Sequence, residues 1–546
     1  MGLIFATLCV ITIVVIVSSI NANKKLITLL KSSYGKEPNQ NEHELESIKM
    51  YWHYNKLNTT DELQVDNITW NDLEMDKVFI RINACLSSVG EEYLYNCLHE
   101  LKLEPNCLLE RNNSIKYFSE NTEERLAVQM CLAKVGKSNY NGLAALIFDP
   151  NASLFKNTII FNVLSLLPLL CVLILLHSIA IGFIGIFLSF IINLITYYIC
   201  KTKINIEIPA ISYFASLMNC CKKLLRIKNI EALPIITEIN KYYQIFKPLQ
   251  SKLPRGNKNL FNEMEVFAEY FNILFLVDIR NYNKFMNKII RNNNDFHALY
   301  KAIGELDLAI CVSSFRKSLH VFSTPEFTSK KTIEFDELYH PLIPKPVKNT
   351  GFLRNNSIIT GSNASGKSTF IKALAVNGIL AQTIYTCAAK IFKTRFSLIL
   401  TSMAMRDDIS GGDSYFIVEV KSLKRIMDFV KKYPCTCYID EILRGTNTIE
   451  RIASSASVLE YLHAQDCLCV AASHDIELTK ILADKFDNYH FREQAADNGI
   501  TFDYKIKQGA STTRNAVKLL SFMNFDDSIV NKAEELVLSY EKNHKW

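Results

Sequence analysis

Apolar residues are concentrated in long blocks of this 546-residue chain. Residues 2–20 contain no charged side chain, and residues 158–200 contain no Asp, Glu, Lys or Arg. The first block has the roughly 20 residues that cross a bilayer core, and the second is about twice as long. We therefore predict a transmembrane anchor followed by a transmembrane helical hairpin, three spanning helices in all, with the hairpin turn between Ser178 and Gly185.

Two soluble interpretations fit these blocks less well. A cleaved signal peptide has a positively charged start and an apolar run of about 7–15 residues, whereas residues 2–20 lack the charge and are longer. A buried soluble hairpin would show polar residues along an exposed face, and none is evident in 158–200. An anchor and a membrane hairpin remain the favoured interpretations.

Charged residues beside the blocks predict their orientation. Five lysines flank the blocks on the side that holds the long soluble segments: Lys24, Lys25, Lys156, Lys201 and Lys203. Because positive charge accumulates on the cytoplasmic side, we expect a multi-pass cell-membrane protein whose soluble parts lie in the cytoplasm.

The rest of the chain changes from helical to mixed patterns. Residues 201–330 are helix-rich, and buried-strand patterns follow at 358–360, 435–439 and 467–472. This order predicts an α/β domain at 331–546 with a mostly parallel sheet, preceded by an all-helical region that the hairpin divides.

One predicted strand leads into a phosphate-binding pattern. Residues 361–368 follow G-x-x-x-x-G-K-S, after a strand and before a helical pattern at 370–380. Backbone N–H groups at such a helix start face phosphates. We predict that Lys367 reaches the β- and γ-phosphates and that the Ser368 hydroxyl binds Mg²⁺. The predicted nucleotide-binding residues of the loop are Gly361, Ser362, Asn363, Ala364, Ser365, Gly366, Lys367, Ser368 and Thr369.

The other two strand patterns also end in polar residues. Asp440 and Glu441 follow the strand at 435–439, and His474 follows the strand at 467–472. Carboxyl ends of parallel strands border ligand crevices, so we predict that Asp440 holds Mg²⁺ and that Glu441 orients and deprotonates the attacking water. His474 is a candidate hydrogen-bond partner of the γ-phosphate or water. The alternatives are a helix-capping acidic pair and a structural histidine.

Net charge and cysteine content add little to the functional prediction. The net charge of +6 is only mildly basic, and juxtamembrane lysines account for part of it, so charge alone does not indicate a nucleic-acid partner. The 15 cysteines show no zinc-site spacing. The pairs Cys435 with Cys437 and Cys467 with Cys469 lie in apolar runs, which predicts reduced, buried, structural thiols.

Together these motifs resemble the ATPase domain of the MutS family, the DNA mismatch-repair ATPases of the ABC-type P-loop group. Residues 360–369 match the family pattern T-G-x-N-x-x-G-K-S-T, and residues 440–447 resemble its D-E-x-x-R-G-T segment. Ser473 and His474 occupy the place of the usual Thr-His. Residues 413–419 resemble the S-T-F-x-x-E signature, with Tyr415 replacing Thr.

The resemblance implies an ATP- and Mg²⁺-dependent hydrolase that works as a homodimer through this domain. In such ATPases the signature segment reaches the nucleotide of the opposite subunit, which makes Ser414 the candidate for that contact. The region at 339–349 resembles the segment that borders the base, so Val347 and Asn349 become candidate nucleotide contacts.

A weaker resemblance extends upstream, where residues 69–76 and 87–94 are similar to the start of the family's helical core. The resulting domain prediction lists an anchor at 1–23, a cytoplasmic segment beginning the helical core at 24–156, the hairpin at 157–200, the helical core and lever at 201–330 and the ATPase domain at 331–546.

The sequence also departs from mismatch-repair members. We recognise neither a mismatch-reading domain with its Phe-x-Glu wedge before Thr69 nor a DNA-gripping clamp, and we expect no nuclease-like extension after Trp546. The favoured hypothesis is a membrane-anchored dimeric ATPase whose helical arms open and close on DNA, bound through its backbone. The alternative is an ATP-driven scaffold or mechanical switch acting on the bilayer or an unknown protein partner. A transporter is less consistent, because the blocks offer few intramembrane polar residues.

Overall fold

The computed structural model describes residues 2–38, 45–58, 63–151, 155, 158–252, 270–362, 365–403, 415–444, 446–496, 499–510, 517 and 525–543. The chain divides into two compact units. Unit 1 comprises Met1–Thr60, Asn83–Asn96 and Asn113–Phe315, and unit 2 comprises Asp61–Ile82, Cys97–Asn112 and Arg316–Trp546.

The elements up to Ser318 are helical. They are α1 (Gly2–Ser33), α2 (Leu45–Asn58), α3 (Asn67–Asp72), α4 (Met75–Ile82), α5 (Ser88–His99), α6 (Pro105–Glu120), α7 (Thr122–Val135), α8 (Leu143–Phe148), α9 (Thr158–Leu175), α10 (Ile179–Leu224), α11 (Pro234–Phe246), a 3₁₀ segment (Lys247–Lys252), α12 (Val277–Arg291) and α13 (Asn293–Ser318).

The remaining elements alternate between strands and helices. They are β1 (Glu326–Phe327), β2 (Ile333–Leu338), β3 (Asn349–Leu353), β4 (Ser357–Thr360), α14 (Lys367–Ile384), β5 (Ile391–Thr394), β6 (Leu398–Ser402), α15 (Tyr415–Phe429), β7 (Cys435–Asp440), α16 (Thr448–His463), β8 (Cys467–Ser473), α17 (Ile476–Ile481), β9 (Asp487–Ala496), β10 (Gly499–Gln508) and α18 (Asp527–Asn543). A helical region followed by an α/β region agrees with the predicted fold class.

The core of unit 1 contains a cluster of edge-on aromatic rings. Phe214 lies 5.3 Å from Phe285 and 5.5 Å from Phe296 between ring centroids, and Phe246 closes the cluster. These rings come from the second half of α10 and from α11, α12 and α13. Burial of such large apolar surfaces is the main favourable contribution to packing these helices.

A buried carboxylate of unit 1 caps the start of α5. Asp307 accepts hydrogen bonds from the Ser87 hydroxyl at 2.6 Å and the Ser87 backbone N–H at 2.9 Å. A Cβ at position 90 would meet an Asp307 oxygen at 2.2 Å, so Gly90 is required for this close approach. The contact satisfies backbone N–H groups that have no partner within the helix.

The hairpin forms as two helices, α9 and α10, joined by residues 176–178. The predicted turn was too long, because Gly182 and Gly185 lie inside α10. A Cβ at position 182 would come within 2.6 Å of the Leu175 side chain, and one at 185 within 2.9 Å of the Cys171 sulfur. The glycines therefore allow close helix packing rather than forming the turn. Furthermore, α10 continues to Leu224, beyond the predicted end of the apolar block.

Two helices of the described residues are long and apolar enough to cross a membrane, α9 and α10. Only 22% and 17% of their most apolar windows are buried. The structure therefore supports two candidate spans rather than the expected three. The predicted anchor at 2–20 is helical within α1, but most of its side chains lie outside the described residues, and it stays a prediction.

Unit 2 is built on a six-stranded sheet of order β10-β9-β4-β8-β7-β6. The pairs from β9 to β6 are parallel, and β10 joins β9 antiparallel, so the sheet is mostly parallel as predicted. A second sheet of order β1-β5-β2-β3 accompanies it. Helix α14 is buried along nearly its whole length.

Two segments from the N-terminal half belong to unit 2, although the sequence predicted them within one stretch of helical core. The Thr401 hydroxyl of edge strand β6 donates to Asp72 of α3 at 2.6 Å, and the Met403 N–H donates to the same carboxylate at 3.0 Å. Helix α3 thereby covers the end of an edge strand, which protects it from pairing with another chain. Local sequence carries no signal of this long-range pairing.

Candidate functional site

The carboxyl ends of the three predicted strands lie side by side at one end of the large sheet. Strand β8 pairs with β4 on one side and β7 on the other, which places Thr360 opposite Ser473 and Asp440 opposite Ala472. Because all three strands run parallel, their carboxyl ends open into the same crevice. The phosphate-loop pattern, the acidic pair and His474 are therefore brought together as predicted.

The loop after β4 has a glycine at each end in a conformation that other residues rarely adopt. Gly361 has φ of 142° and Gly366 has φ of 100°. A Cβ on Gly361 would meet the Phe491 carbonyl oxygen at 2.9 Å. Lys367 is buried at the start of α14, and its Nζ donates to the carbonyls of Gly361 and Ser362 at 2.6 and 2.7 Å. The ammonium thus lies across the loop that precedes α14. At the N-terminus of this helix, the helix dipole favours bound anions.

Asp440 is a buried carboxylate with an oxygen available to a ligand. It ends β7 and is only 5% exposed. Its Oδ1 has no hydrogen-bond partner among the described residues. A carboxylate oxygen buried without a hydrogen-bond partner is costly, and a divalent cation is the usual compensation. The donor chemistry therefore fits Mg²⁺.

Glu441 forms a three-residue ionic cluster with two side chains. His474 Nε2 lies 2.7 Å from one Glu441 carboxylate oxygen, and the Arg444 Nε contacts the other. Burial is the largest influence on Glu441 and favours the neutral acid, but the hydrogen bonds and charges of His474 and Arg444 outweigh it and lower its pKa. The carboxylate is accordingly ionised near neutral pH and able to accept a proton.

The backbone after Asp440 adopts an unusual path. Glu441 and Leu443 both have positive φ, of 57° and 58°, which is uncommon for residues other than glycine. Two contacts maintain this path: the Glu441 N–H donates to the Ala472 carbonyl at 3.0 Å, and the Leu443 N–H donates to the Glu419 carboxylate. Strain of this kind is typical of functional segments. Here it turns the Glu441 side chain towards His474.

A bidentate ion pair supports the segment that carries His474. Arg451 of α16 donates to both oxygens of Asp475, at 2.9 and 2.6 Å. Two parallel bonds fix orientation as well as distance. Because Asp475 directly follows His474, the pair ties the β8 end to the helix after the acidic segment.

A cavity of about 320 Å³ adjoins the phosphate loop. Its lining includes Gly366, Thr369, Val347, Asn349 and Tyr504. The predicted base contact Val347 therefore lies where a base could bind. Asn349 also borders the cavity, but its amide donates to the Tyr504 carbonyl at 3.0 Å and its oxygen accepts from the Ile506 N–H at 2.9 Å. Its side chain mainly joins β3 to β10.

Residues 357–541, from β4 into α18, match the family profile of MutS domain V. This C-terminal part of the chain, residues 357–541, belongs with MutS domain V.

Relatives are similar over the same half of the chain. The DNA mismatch repair protein MutS of Bacillus subtilis (strain 168) is 29% identical over 257 residues, 44% of this chain and 30% of that protein. The protein of the same name from Rickettsia felis is 27% identical over 276 residues, 48% of this chain and 31% of that protein. The matched part of the chain thus spans about 30% of the length of these relatives.

Some predicted site residues of this MutS domain V are not described. Asn363 and Ala364 of the loop, and Ser414 of the signature segment, lie outside the described residues. Ser362 and Ser365 are in the loop, where the Ser365 hydroxyl donates to the Ser362 carbonyl at 2.7 Å. Ser368 and Thr369 lie in the first turn of α14.

The MutS domain V site also uses residues to which the sequence assigned no role. Arg444 contacts Glu441, Arg451 holds Asp475, and Glu419 holds the Leu443 N–H. A role for Arg444 was predictable from the sequence, because Arg444 lies three residues after Glu441 in the segment at 440–447 that resembles D-E-x-x-R-G-T. The Arg451–Asp475 pair depends on the packing of α16 beside β8 and has no local signal.

Proposed function

We propose that this protein binds and hydrolyses ATP at the crevice formed by β4, β7 and β8. The observation that carries the proposal is the convergence of a buried Lys367, an ionised Glu441 and an Asp440 oxygen at adjacent ends of parallel strands. That oxygen has no hydrogen-bond partner in the part of the chain that the structure describes. The match to MutS domain V supports the same chemistry.

The residues of the site have distinct roles in this mechanism. Loop N–H groups and Lys367 bind the phosphates, and Asp440 with Ser368 holds Mg²⁺. Bound Mg²⁺ supplies positive charge that stabilises the phosphoryl oxygens. Glu441 accepts a hydrogen bond from the attacking water, orients it and takes its proton. His474 orients the Glu441 carboxylate through the 2.7 Å contact.

The finer function we propose is a dimeric, membrane-anchored ATPase that acts on DNA. The names of its relatives, DNA mismatch repair protein MutS, support DNA as partner. The low burial of α9 and of the first part of α10 supports a multi-pass attachment to the cell membrane, because large apolar surfaces on soluble proteins are rare. The lysines beside the apolar blocks support an ATPase domain in the cytoplasm. A homodimer through the ATPase domain completes the proposal.

The test is ATP hydrolysis by the detergent-purified full chain, with and without duplex, mismatched and branched DNA. Glu441→Gln keeps the side-chain shape but cannot accept the proton, so we expect hydrolysis to fall about 100-fold or more, with ATP binding retained. Glu460→Gln is the matched control, because Glu460 lies on the surface of α16 and contacts Lys485. Equal rates in the two variants would exclude Glu441 as the base.

A second function is favoured by the two exposed apolar helices: an ATP-driven switch that acts on the bilayer or on a protein partner. The DNA series distinguishes the two. Hydrolysis that responds to DNA in a salt-dependent manner supports the first function. Hydrolysis that is indifferent to every DNA, with a protein recovered by co-purification from detergent, supports the second.

A further inference from the structure

Asn193 compensates for a proline in the membrane hairpin. Pro168 lies inside α9 and has no N–H, so the carbonyl of Leu164, four residues earlier, loses its helical partner. The fully buried Asn193 of α10 donates to this carbonyl at 3.1 Å. Backbone groups inside a bilayer must be satisfied by protein, so this bond suits a membrane location.

The same amide holds a third segment against the hairpin. Asn193 Nδ2 also donates to the Leu274 carbonyl at 2.7 Å. Leu274 lies just before Leu276, whose left-handed φ of 49° separates residues 270–275 from α12. Because this break removes the helical partner of the Leu274 carbonyl, Asn193 satisfies two orphaned acceptors with one amide.

Helix geometry sets the depth of this contact. Leu164 is six residues from the start of α9, which is about 9 Å at 1.5 Å per residue. Asn193 is eight residues before Lys201, which is about 12 Å. Both estimates place the Leu274 carbonyl just inside the apolar layer that the hairpin would cross, because Leu164 is about 3 Å deeper along α9 than Asn162. Arg280 marks the nearby boundary, because its Nε donates to Asn162 in the first turns of α9 at 3.1 Å.

The composition of residues 270–276 suits that depth. The segment contains no charged residue and lies between Glu269 and Asp278 in the chain. Tyr270 and Phe271 are 56% and 58% exposed, although both are large and apolar. Aromatic side chains exposed in this way are enriched where the hydrocarbon meets the headgroups.

We propose that residues 270–276 form a re-entrant segment that inserts into the bilayer leaflet beside the hairpin and places Tyr270 and Phe271 among the lipid chains. This inference rests on the proposed membrane attachment. The bilayer contact then comprises α9, the first part of α10 and residues 270–276. Asn193 connects all three.

The test is tryptophan fluorescence of the full chain in phosphatidylcholine vesicles with brominated acyl chains. Phe271→Trp and, as an independent reporter, Tyr270→Trp are compared with the parent, whose three tryptophans give the background. Phe187→Trp on the exposed face of α10 is the control for insertion. Phe322→Trp in unit 2 is the control for a soluble position.

We expect loss of the added emission at positions 270 and 271, stronger with bromine near the headgroup end of the chains, and no loss at position 322. Loss at 187 without loss at 270 or 271 would overturn the re-entrant segment but retain the hairpin. Absence of quenching at 187 as well would overturn the membrane attachment itself.

Discussion

His474 Nε2 lies 2.7 Å from Glu441 Oε1. The two residues are 33 positions apart in the chain and meet because β7 and β8 are neighbours with their carboxyl ends aligned. The contact sets the protonation of the proposed base, since hydrogen bonding and charge from His474 help to lower the pKa of Glu441 against the effect of burial.

Replacing His474 with asparagine should therefore raise the pKa of Glu441. The base must be ionised, so the acid limb of the hydrolysis profile is expected to move to higher pH. Rates measured at pH values on both sides of the ordinary glutamate pKa of 4.5 check this shift. His53→Asn, at an exposed position of α2, is the control. An acid limb that stays unchanged in His474→Asn would contradict the coupling.

Asp440→Asn should weaken the response to Mg²⁺. The substitution replaces a carboxylate, one oxygen of which is buried without a hydrogen-bond partner among the described residues, by a neutral amide. The proposed metal site then loses its main negatively charged ligand. We expect Mg²⁺-dependent hydrolysis to fall about 100-fold, with binding of ATP in EDTA retained. Titration calorimetry with and without Mg²⁺ checks this, with Asp484→Asn on the exposed surface as control. A normal Mg²⁺ response in Asp440→Asn would rule out the assigned role.

The Arg451–Asp475 pair should stabilise unit 2 cooperatively. Both side chains are mostly buried and the contact is bidentate, so a coupling energy of about 1 kcal/mol is expected. A double-mutant cycle of Arg451→Met and Asp475→Asn, measured by urea unfolding of the full chain, gives this value. Lys485 and Glu460 form the exposed comparison pair. Strict additivity of the first cycle would contradict the prediction.

Glu92 of unit 1 should make stability depend on pH. It accepts hydrogen bonds from Asn141 at 2.7 Å and from Tyr300, and burial raises its pKa from 4.5 to about 8. Between these values the folded protein holds a proton that the unfolded chain has released, so stability falls as pH rises.

Glu92→Gln should remove this dependence, because glutamine does not titrate, its oxygen can accept from Asn141, and its amide N–H can donate to the Tyr300 hydroxyl oxygen. Relative to the parent, we expect a gain of about 1 kcal/mol or more at pH 8 and little difference at pH 5. Apparent unfolding midpoints across that range check it. Glu123 is exposed on α7, so Glu123→Gln should have the stability of the parent at each pH. If the stability of Glu92→Gln depends on pH as strongly as that of the parent, Glu92 is not the cause of this dependence.

Several features of the site were predictable because they are local. The phosphate loop needs glycines and a lysine at fixed spacing, and the structure has its helix at Lys367–Ile384 where a helix was expected at 370–380. Strands β7 and β8 match the apolar runs at 435–439 and 467–472 to within one residue. The hairpin turn was misplaced, because glycine serves close packing as well as turns.

By itself, the sequence determined the order of elements, the ends of the strands that carry polar residues, and the two apolar helices of the hairpin. Periodicity and residue type encode these features over a few neighbouring positions. Only the tertiary structure decided that His474 meets Glu441, that Arg451 holds Asp475, and that Asn193 reaches Leu274. These contacts depend on which strands and helices become neighbours in space, and no local pattern specifies that choice.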